Sequence, residues 1–307
     1  MDQLIFYIRP ASRFNMFFWQ SFQKRRLIKG CELFANQSFI KHVMLDGELY
    51  TLNILARKQD IIEVNCTGRI NDDIELALKK RIYKMLDIAT DTHTVDNILG
   101  NESQALFPRA CIKFPGCFSV YESAVRAVLG QQVSIKRATD LISLFTEYIS
   151  VGRGDSVFPE KEVAFPVIKK VVARLPLTHN KRNALIEITE FLMTNSQTHC
   201  VDINDALNIK GVGSWTIDNI RLRGFLDPDI WMGKDLIIRK VCAQMGLPDV
   251  TDDFYYKFSP YRSYLTLNLW HIYNLQNHVY DDMFFIPESV PATPFKRFDA
   301  QRNGFTR

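Results

Sequence analysis

The chain has 307 residues, of which 47% are hydrophobic and 23% charged, so it is long enough for about two ordinary domains and wholesale disorder is excluded. Its formal net charge of +4 permits nucleic acid as a partner without requiring one. The six cysteines and six histidines show no metal-ligand spacing, which argues against a metal centre. No apolar stretch approaches the roughly 18 residues of a membrane span, which argues against a membrane protein. No secretory leader pattern is present, which argues against a secreted protein.

Residues 1–95 predict an antiparallel β-sheet domain with helices against it. Short β-prone segments occur at residues 4–8 and 60–64, and another pair flanks Asp46-Gly47, a dipeptide typical of tight hairpin turns. Apolar residues at helical spacing predict helices over residues 14–25 and 72–86.

From about residue 119 the apolar pattern becomes helical. Ser119 and Glu122 have the spacing of a capping box, which predicts a helix ending near residue 129. Ser134 is placed to cap a second helix, and further helical patterns occur at 166–174, 180–195, 203–208, 214–224, 235–245 and 259–275. The predicted fold class is α+β. We expect an N-terminal sheet domain over 1–95, an all-α core over 96–282 and an extended tail over 283–307.

Two glycines, Gly211 and Gly213, separate two short helical patterns. Glycine permits positive φ and leaves backbone N–H groups accessible, so this turn is suited to binding a phosphate group. Ile209 and Val212 are expected to pack the turn between the helices. The alternative is an ordinary helix–turn–helix corner in which the glycines only provide tightness.

Asp235 lies 22 positions after Gly213, at the start of an apolar helical pattern. The intervening segment is long enough to turn back toward the hairpin, so we expect the carboxylate to return to that side. Asp is also a favoured N-cap residue. The catalytic and capping interpretations are compatible.

This hairpin, followed by Gly233-Lys234-Asp235, resembles the signature of the helix-hairpin-helix (HhH-GPD) DNA glycosylases, and among them the AlkA-type 3-methyladenine DNA glycosylases. Residues 114–134 resemble the first core helices of that family, and Arg262-Ser263-Tyr264 with Trp270 resembles its closing helix. The resemblance spans about residues 1–278.

The resemblance implies roles for individual residues. Asp235 falls on the catalytic carboxylate, and a base pocket is implied at Trp215, Trp270, Phe22 and Asn219. Gln132 falls where a side chain enters the duplex gap, although some relatives have leucine there, and some have tyrosine where Asn219 stands. The remaining implied DNA-binding residues are Ile209, Lys210, Gly211, Val212, Gly213 and Ser214. Bifunctional relatives carry a nucleophilic lysine at the position of Trp215, so a monofunctional enzyme without strand cleavage is predicted.

The implied reaction is base flipping followed by hydrolysis of the N-glycosidic bond of an alkylated purine in double-stranded DNA. No cofactor and no metal are predicted. We expect a monomer, a cytoplasmic location associated with the bacterial nucleoid, and no membrane partner. Two alternatives stay open: a glycosylase for oxidised purines of the 8-oxoguanine type, and a non-catalytic helix-hairpin-helix DNA-binding module. For Trp215 and Trp270, plain core packing is also an alternative.

Overall fold

The computed structural model describes residues 2–57, 60–103, 110–150, 156–195 and 202–277, without the side chains of 101–103. The predicted tail over 283–307 lies outside the described residues, as does Cys200. The chain divides into two compact units. The first unit comprises the described residues that fall within 2–10, 22–89 and 115–226, and the second those that fall within 11–21, 90–114 and 227–277. The domain ranges 1–95 and 96–282 stay a prediction.

The first unit contains a five-stranded antiparallel sheet in the order β1-β5-β4-β3-β2. Buried and solvent-facing residues alternate along β5, as expected for a strand with one face on a core. The predicted hairpin is confirmed, because Leu45 pairs with Glu48 and the turn residues Asp46 and Gly47 have φ of 52° and 78°. The strands are β1 Asp2–Ile8, β2 Glu32–Ala35, β3 Ser38–Leu45, β4 Glu48–Ala56 and β5 Ile62–Gly68.

The helices predicted from the sequence are present with shifts at their ends, whereas the helices Thr92–Ser103 and Lys161–Ala164 were not predicted. The pattern over 214–224 is divided into an α-helix and a π-helical turn, and the pattern over 203–208 is a 3₁₀-helix. The α-helices are α1 Met16–Lys24, α2 Asp72–Met85, α3 Thr92–Ser103, α4 Val120–Gly130, α5 Ile135–Ile149, α6 Lys161–Ala164, α7 Ile168–Arg174, α8 His179–Thr194, α9 Ser214–Ile220, α10 Leu236–Met245 and α11 Arg262–Gln276. Short 3₁₀-helices span Phe165–Val167, Ile203–Asn208 and Asp253–Phe258, and the π-helical turn is Arg221–Phe225.

Helix α4 is buried along almost its whole length and forms the centre of the first unit. Its predicted cap is present, since Ser119 Oγ accepts a hydrogen bond from the Glu122 amide at 3.1 Å. The second hydrogen bond of the predicted capping box, from the Ser119 amide to the Glu122 side chain, is replaced by another. Glu122 Oε2 accepts from the amide of Phe118, one residue earlier, while Oε1 contacts the buried cations Lys41 and Arg126. The need to pair these cations therefore fixes the orientation of the Glu122 side chain.

A continuous apolar core surrounds α4 in the first unit. Ala124, Val128, Phe145, Leu185 and Ile220 each expose under 1% of their surface within it. In the second unit, α10 and α11 contact each other, and Ile238, Val241, Leu265 and Leu269 of these helices are fully buried. Burial of these apolar faces is the main stabilising contribution to each unit.

Within the described ranges, every helix is too short or too polar to span a lipid bilayer. The same residues contain no group of three or more His, Cys, Asp or Glu side chains that could hold a metal ion.

Candidate functional site

The predicted hairpin is a tight turn between the 3₁₀-helix Ile203–Asn208 and α9. Gly211 has φ of +92°, a conformation that side chains other than glycine rarely adopt. A Cβ at this position would lie 3.3 Å from Ala184 Cβ and 3.4 Å from the Asn180 carbonyl oxygen. Glycine at 211 therefore lets the turn approach α8 closely.

Gly213 differs from Gly211, because its φ is −102° and a Cβ there would meet nothing within 4 Å. The amide N–H groups of Gly211 and Gly213 make no hydrogen bond within the described residues. Val212 is buried and Ile209 half-buried against the core, while Lys210 is exposed. The apolar residues of the hairpin thus anchor it, and its glycine amides and Lys210 are available to an anion.

The turn between α4 and α5 is fastened to this hairpin by Gln131. Its side-chain Nε2 donates hydrogen bonds to the Gly211 carbonyl oxygen and to Thr216 Oγ1, each at 2.8 Å. Lys181 Nζ donates to the Gln131 carbonyl oxygen at 2.8 Å. Burial of the ammonium group lowers the pKa of Lys181. Neither Gln131 nor Lys181 was predicted from the sequence as part of the site, although Gln131 lies beside the predicted residue Gln132.

Gln132 is exposed and has φ of +55°. The next residue, Val133, keeps 37% of its surface exposed. Because Gln131 ties this turn to Gly211, the structure brings Gln132 and the hairpin together in the first unit. The role of Gln132 in a duplex gap stays a prediction.

Trp215 and Asn219 are one turn apart on α9 and both are half-buried. Thr216, Ile217 and Ile220 occupy the buried side of the same helix. Trp215 and Asn219 therefore lie away from the core-facing side. Ser214 begins the helix and is also half-buried.

Phe22 lies beneath two guanidinium groups in the first unit. Arg26 Cζ is 3.6 Å and Arg223 Cζ 5.0 Å from the centroid of its ring. Only 6% of the Phe22 surface is exposed. The structure places this aromatic ring against cations, and its role in a base pocket stays a prediction.

Asp235 is the N-cap of α10, as the capping interpretation expects. Its Oδ1 atom accepts hydrogen bonds from the amides of Ile237 at 2.9 Å and Ile238 at 3.2 Å. The backbone amide of Asp235 donates to the Met232 carbonyl oxygen at 2.8 Å. The carboxylate is half-buried and held at a helix start, where a negative charge is favourable.

Trp270 of α11 lies beside this carboxylate, since its indole Nε1 donates to Asp235 Oδ1 at 3.3 Å. The tryptophan is half-buried. The structure therefore joins a predicted catalytic carboxylate and a predicted pocket aromatic in the second unit, although 35 positions separate them in the chain.

A buried cluster of charges, which the sequence analysis did not identify, connects the sheet to α4. Arg126 contacts Glu32 at 2.7 Å and Glu122 at 2.8 Å, and Lys41 contacts the same two carboxylates at 2.5 and 2.9 Å. Burial alone would raise the pKa of Glu122, but Lys41 and Arg126 lower it to about 2. The pairing of all four charges makes this cluster a structural element of the first unit.

The sequence of the chain is similar to that of a known DNA glycosylase. Over 204 residues the chain is 25% identical to the DNA-3-methyladenine glycosylase 2 of Escherichia coli, a match that covers 62% of this chain and 70% of that protein. The chain is thus similar in sequence to AlkA-type DNA glycosylases. No protein-family model matches it.

Solved structures show that the chain has a glycosylase fold. A 3-methyladenine DNA-glycosylase from Archaeoglobus fulgidus superposes with a TM-score of 0.70 at 15% identity, covering 92% of this chain and all of that one. The apo-form of the 8-oxoguanine glycosylase/lyase of Clostridium acetobutylicum gives a TM-score of 0.58 at 12% identity, covering 88% and 96%. The resemblance and the α+β fold class predicted from the sequence are confirmed. The roles of the individual site residues stay predictions.

Proposed function

We propose that this chain is a monofunctional DNA glycosylase that excises alkylated purines such as 3-methyladenine. The observation that carries the proposal is the hydrogen bond between Trp270 and Asp235, which sets an aromatic ring against a carboxylate at a helix start. Cations favour aromatic faces, so an alkylated purine, which carries positive charge, is suited to stacking on such a ring. The sequence relationship to the E. coli glycosylase supports the same reaction.

A base within a duplex is inaccessible, so the nucleotide must first be extruded. The glycine amides of the hairpin and Lys210 bind backbone phosphate, and Gln132 occupies the gap left in the stack. Such contacts position the protein on double-stranded DNA without reading its sequence. The partner is DNA, and the protein acts as a monomer in the cytoplasm, at the nucleoid.

In the chemical step the bond between the base nitrogen and C1′ of deoxyribose breaks, and the base leaves with the bonding electrons. Positive charge develops on the sugar. The Asp235 carboxylate stabilises this charge, and a water oxygen then bonds to C1′ and loses a proton. Ile237 and Ile238 hold one carboxylate oxygen through their amides, so the group is oriented before the substrate arrives.

Trp215 distinguishes this proposal from an oxidised-purine glycosylase that also cleaves the strand. An indole cannot form the Schiff base that begins β-elimination, whereas a lysine at this position can. The fold does not separate the two functions, since solved structures with either name resemble the chain. The residue at 215 therefore favours the monofunctional enzyme.

The test uses duplex DNA containing 3-methyladenine, 7-methylguanine, hypoxanthine or 8-oxoguanine. We expect free alkylated base and abasic sites that become strand breaks only after alkali treatment. Strand breaks without alkali would contradict the monofunctional proposal. If wild-type protein binds the DNA but releases no base, a non-catalytic DNA-binding module is the better description.

A further inference from the structure

Helix α11 holds the loop that ends at Asp235 through hydrogen bonds at three levels. At the first level, Ser263 Oγ accepts from the Ile230 amide at 2.8 Å and donates to the Asp227 carbonyl oxygen at 2.6 Å. The Ser263 amide donates to the Pro228 carbonyl oxygen at 3.0 Å. This serine is completely buried, so one hydroxyl fixes the beginning of the loop.

The next two levels follow along the helix. Thr266 Oγ1 accepts from the Met232 amide at 3.4 Å, and Trp270 Nε1 donates to Asp235 Oδ1 at 3.3 Å. From Ser263 to Trp270 the helix rises about 10 Å. The loop residues advance in the same direction, so loop and helix run side by side. We refer to these contacts as the α11 ladder.

Two hydrogen bonds through the backbone of Met232 connect Thr266 to Asp235. The Met232 amide donates to Thr266, and the Met232 carbonyl oxygen accepts from the Asp235 amide at 2.8 Å. Met232 exposes 1% of its surface and Thr266 none. Because water has little access to these groups, the hydroxyl is the partner that satisfies the Met232 amide.

An ion pair joins the first residue of α11 to the same loop. Arg262 Nε contacts Asp229 Oδ1 at 2.7 Å, and its terminal nitrogen contacts Oδ2 at 2.8 Å, which makes the pair bidentate. Ser259 Oγ donates to the same carboxylate at 2.8 Å. Planar pairs of this kind fix orientation as well as distance.

We propose that Ser263 and Thr266 are positioning residues that set the place of the Asp235 carboxylate for base release. The inference rests on the proposed function and deepens it. Neither hydroxyl is assigned contact with DNA. Each acts through loop backbone, and a displacement of about 1 Å in a reacting group lowers a rate on the order of a hundredfold.

The experiment compares the wild type, Thr266→Val, Thr266→Ser and the double variant Ser263→Ala/Thr266→Val. Thr189→Val is the matched control, because Thr189 is also a fully buried helix threonine, with Oγ1 bonded to the Leu185 carbonyl oxygen at 2.7 Å in the first unit. Single-turnover release of 3-methyladenine is measured with saturating enzyme. Affinity is measured separately on duplex DNA containing an uncleavable abasic-site analogue.

We expect the double variant to release base roughly tenfold to a hundredfold more slowly, with its affinity for the analogue changed by no more than about twofold. Thr266→Ser should keep the wild-type rate, and Thr189→Val should retain it despite a similar loss of thermal stability. A loss of rate in the double variant no larger than in Thr189→Val would overturn the proposal.

A second measurement does not depend on activity. The indole ¹H–¹⁵N signal of Trp270, assigned with a Trp270→Phe variant, reports its hydrogen bond to Asp235. The signal should shift in the double variant and stay in place in Thr189→Val. An unchanged signal in the double variant overturns the positioning proposal even if the wild type releases base. A wild type that releases no base overturns the proposed function. The indole signal then still tests whether Ser263 and Thr266 set the place of the Asp235 carboxylate.

Discussion

Trp270 donates its indole hydrogen to the same oxygen of Asp235 that caps α10, at 3.3 Å. One carboxylate oxygen thus serves the helix start and the neighbouring aromatic ring together. The capping and catalytic interpretations of Asp235 are compatible in this geometry, and substitutions can separate them.

Substitution of Asp235 by Asn is expected to abolish most base release without unfolding α10. Asn is as good an N-cap as Asp, but it carries no charge to stabilise the sugar cation. We expect release to fall on the order of a hundredfold or more, with the melting temperature nearly unchanged. Asp235→Ala should also lose about 1 kcal/mol of stability with its cap. Equal stability of the Ala and Asn variants would contradict the capping assignment.

Substitution of each hairpin glycine by alanine should affect a different property, stability for Gly211 and DNA affinity for Gly213. Gly211→Ala forces a Cβ into a positive-φ position against α8 and should cost about 1–3 kcal/mol of unfolding free energy. Gly213→Ala meets open space at an ordinary φ, so stability should be retained. If the Gly213 amide faces phosphate, its new methyl group weakens DNA binding. Chemical denaturation and binding to undamaged duplex DNA measure the two effects, and unchanged binding of Gly213→Ala would contradict the phosphate role.

Gln131→Leu removes the donor shared by the Gly211 carbonyl oxygen and Thr216 Oγ1. We expect a loss of about 1–3 kcal/mol in the free energy of unfolding, because these acceptors lose their partner. DNA affinity should fall as well, since the turn bearing Gln132 is no longer tied to the hairpin. Gln132→Leu is the control, as Gln132 is exposed and its replacement should leave the unfolding free energy nearly unchanged.

Lys41→Met should destabilise the first unit by about 3–5 kcal/mol, because Glu32 and Glu122 would lose a buried cation. The exposed pair Lys136–Asp140 provides the contrast. Lys136→Met should change the unfolding free energy by at most about 0.5 kcal/mol. Urea denaturation of both variants measures the difference, and similar small losses would show that the buried pairs contribute little.

His271 should make stability depend on pH between about 6.5 and 4. It is 4% exposed, packs edge-on against Phe18 at 5.3 Å, and burial lowers its pKa to about 4. The unfolded chain binds a proton more readily, so stability is complete above pH 6.5 and falls by about 3 kcal/mol toward pH 4. His271→Gln should have a flatter profile of unfolding free energy over this window. A profile as steep as that of the wild type would assign the dependence to other groups.

Local features whose chemistry is contained in a few neighbouring residues can be predicted from the sequence. Asp46-Gly47 predicts the β3–β4 turn because both residues tolerate positive φ. Gly211 marks the hairpin for the same reason, and Asp235 starts a helix because its side chain reaches the amides two and three positions ahead. That position 215 holds tryptophan and not lysine is likewise evident from the sequence alone.

Contacts between side chains that are distant in the sequence become visible only in the folded chain. The partners Gln131 and Gly211 are 80 positions apart, and Glu32 and Arg126 are 94 apart. Periodicity reveals which face of a helix or strand is buried, but not which other face covers it. That choice depends on how elements pack to exclude water and pair every buried charge, and this is why Thr266 and Lys41 carried no visible signal in the sequence.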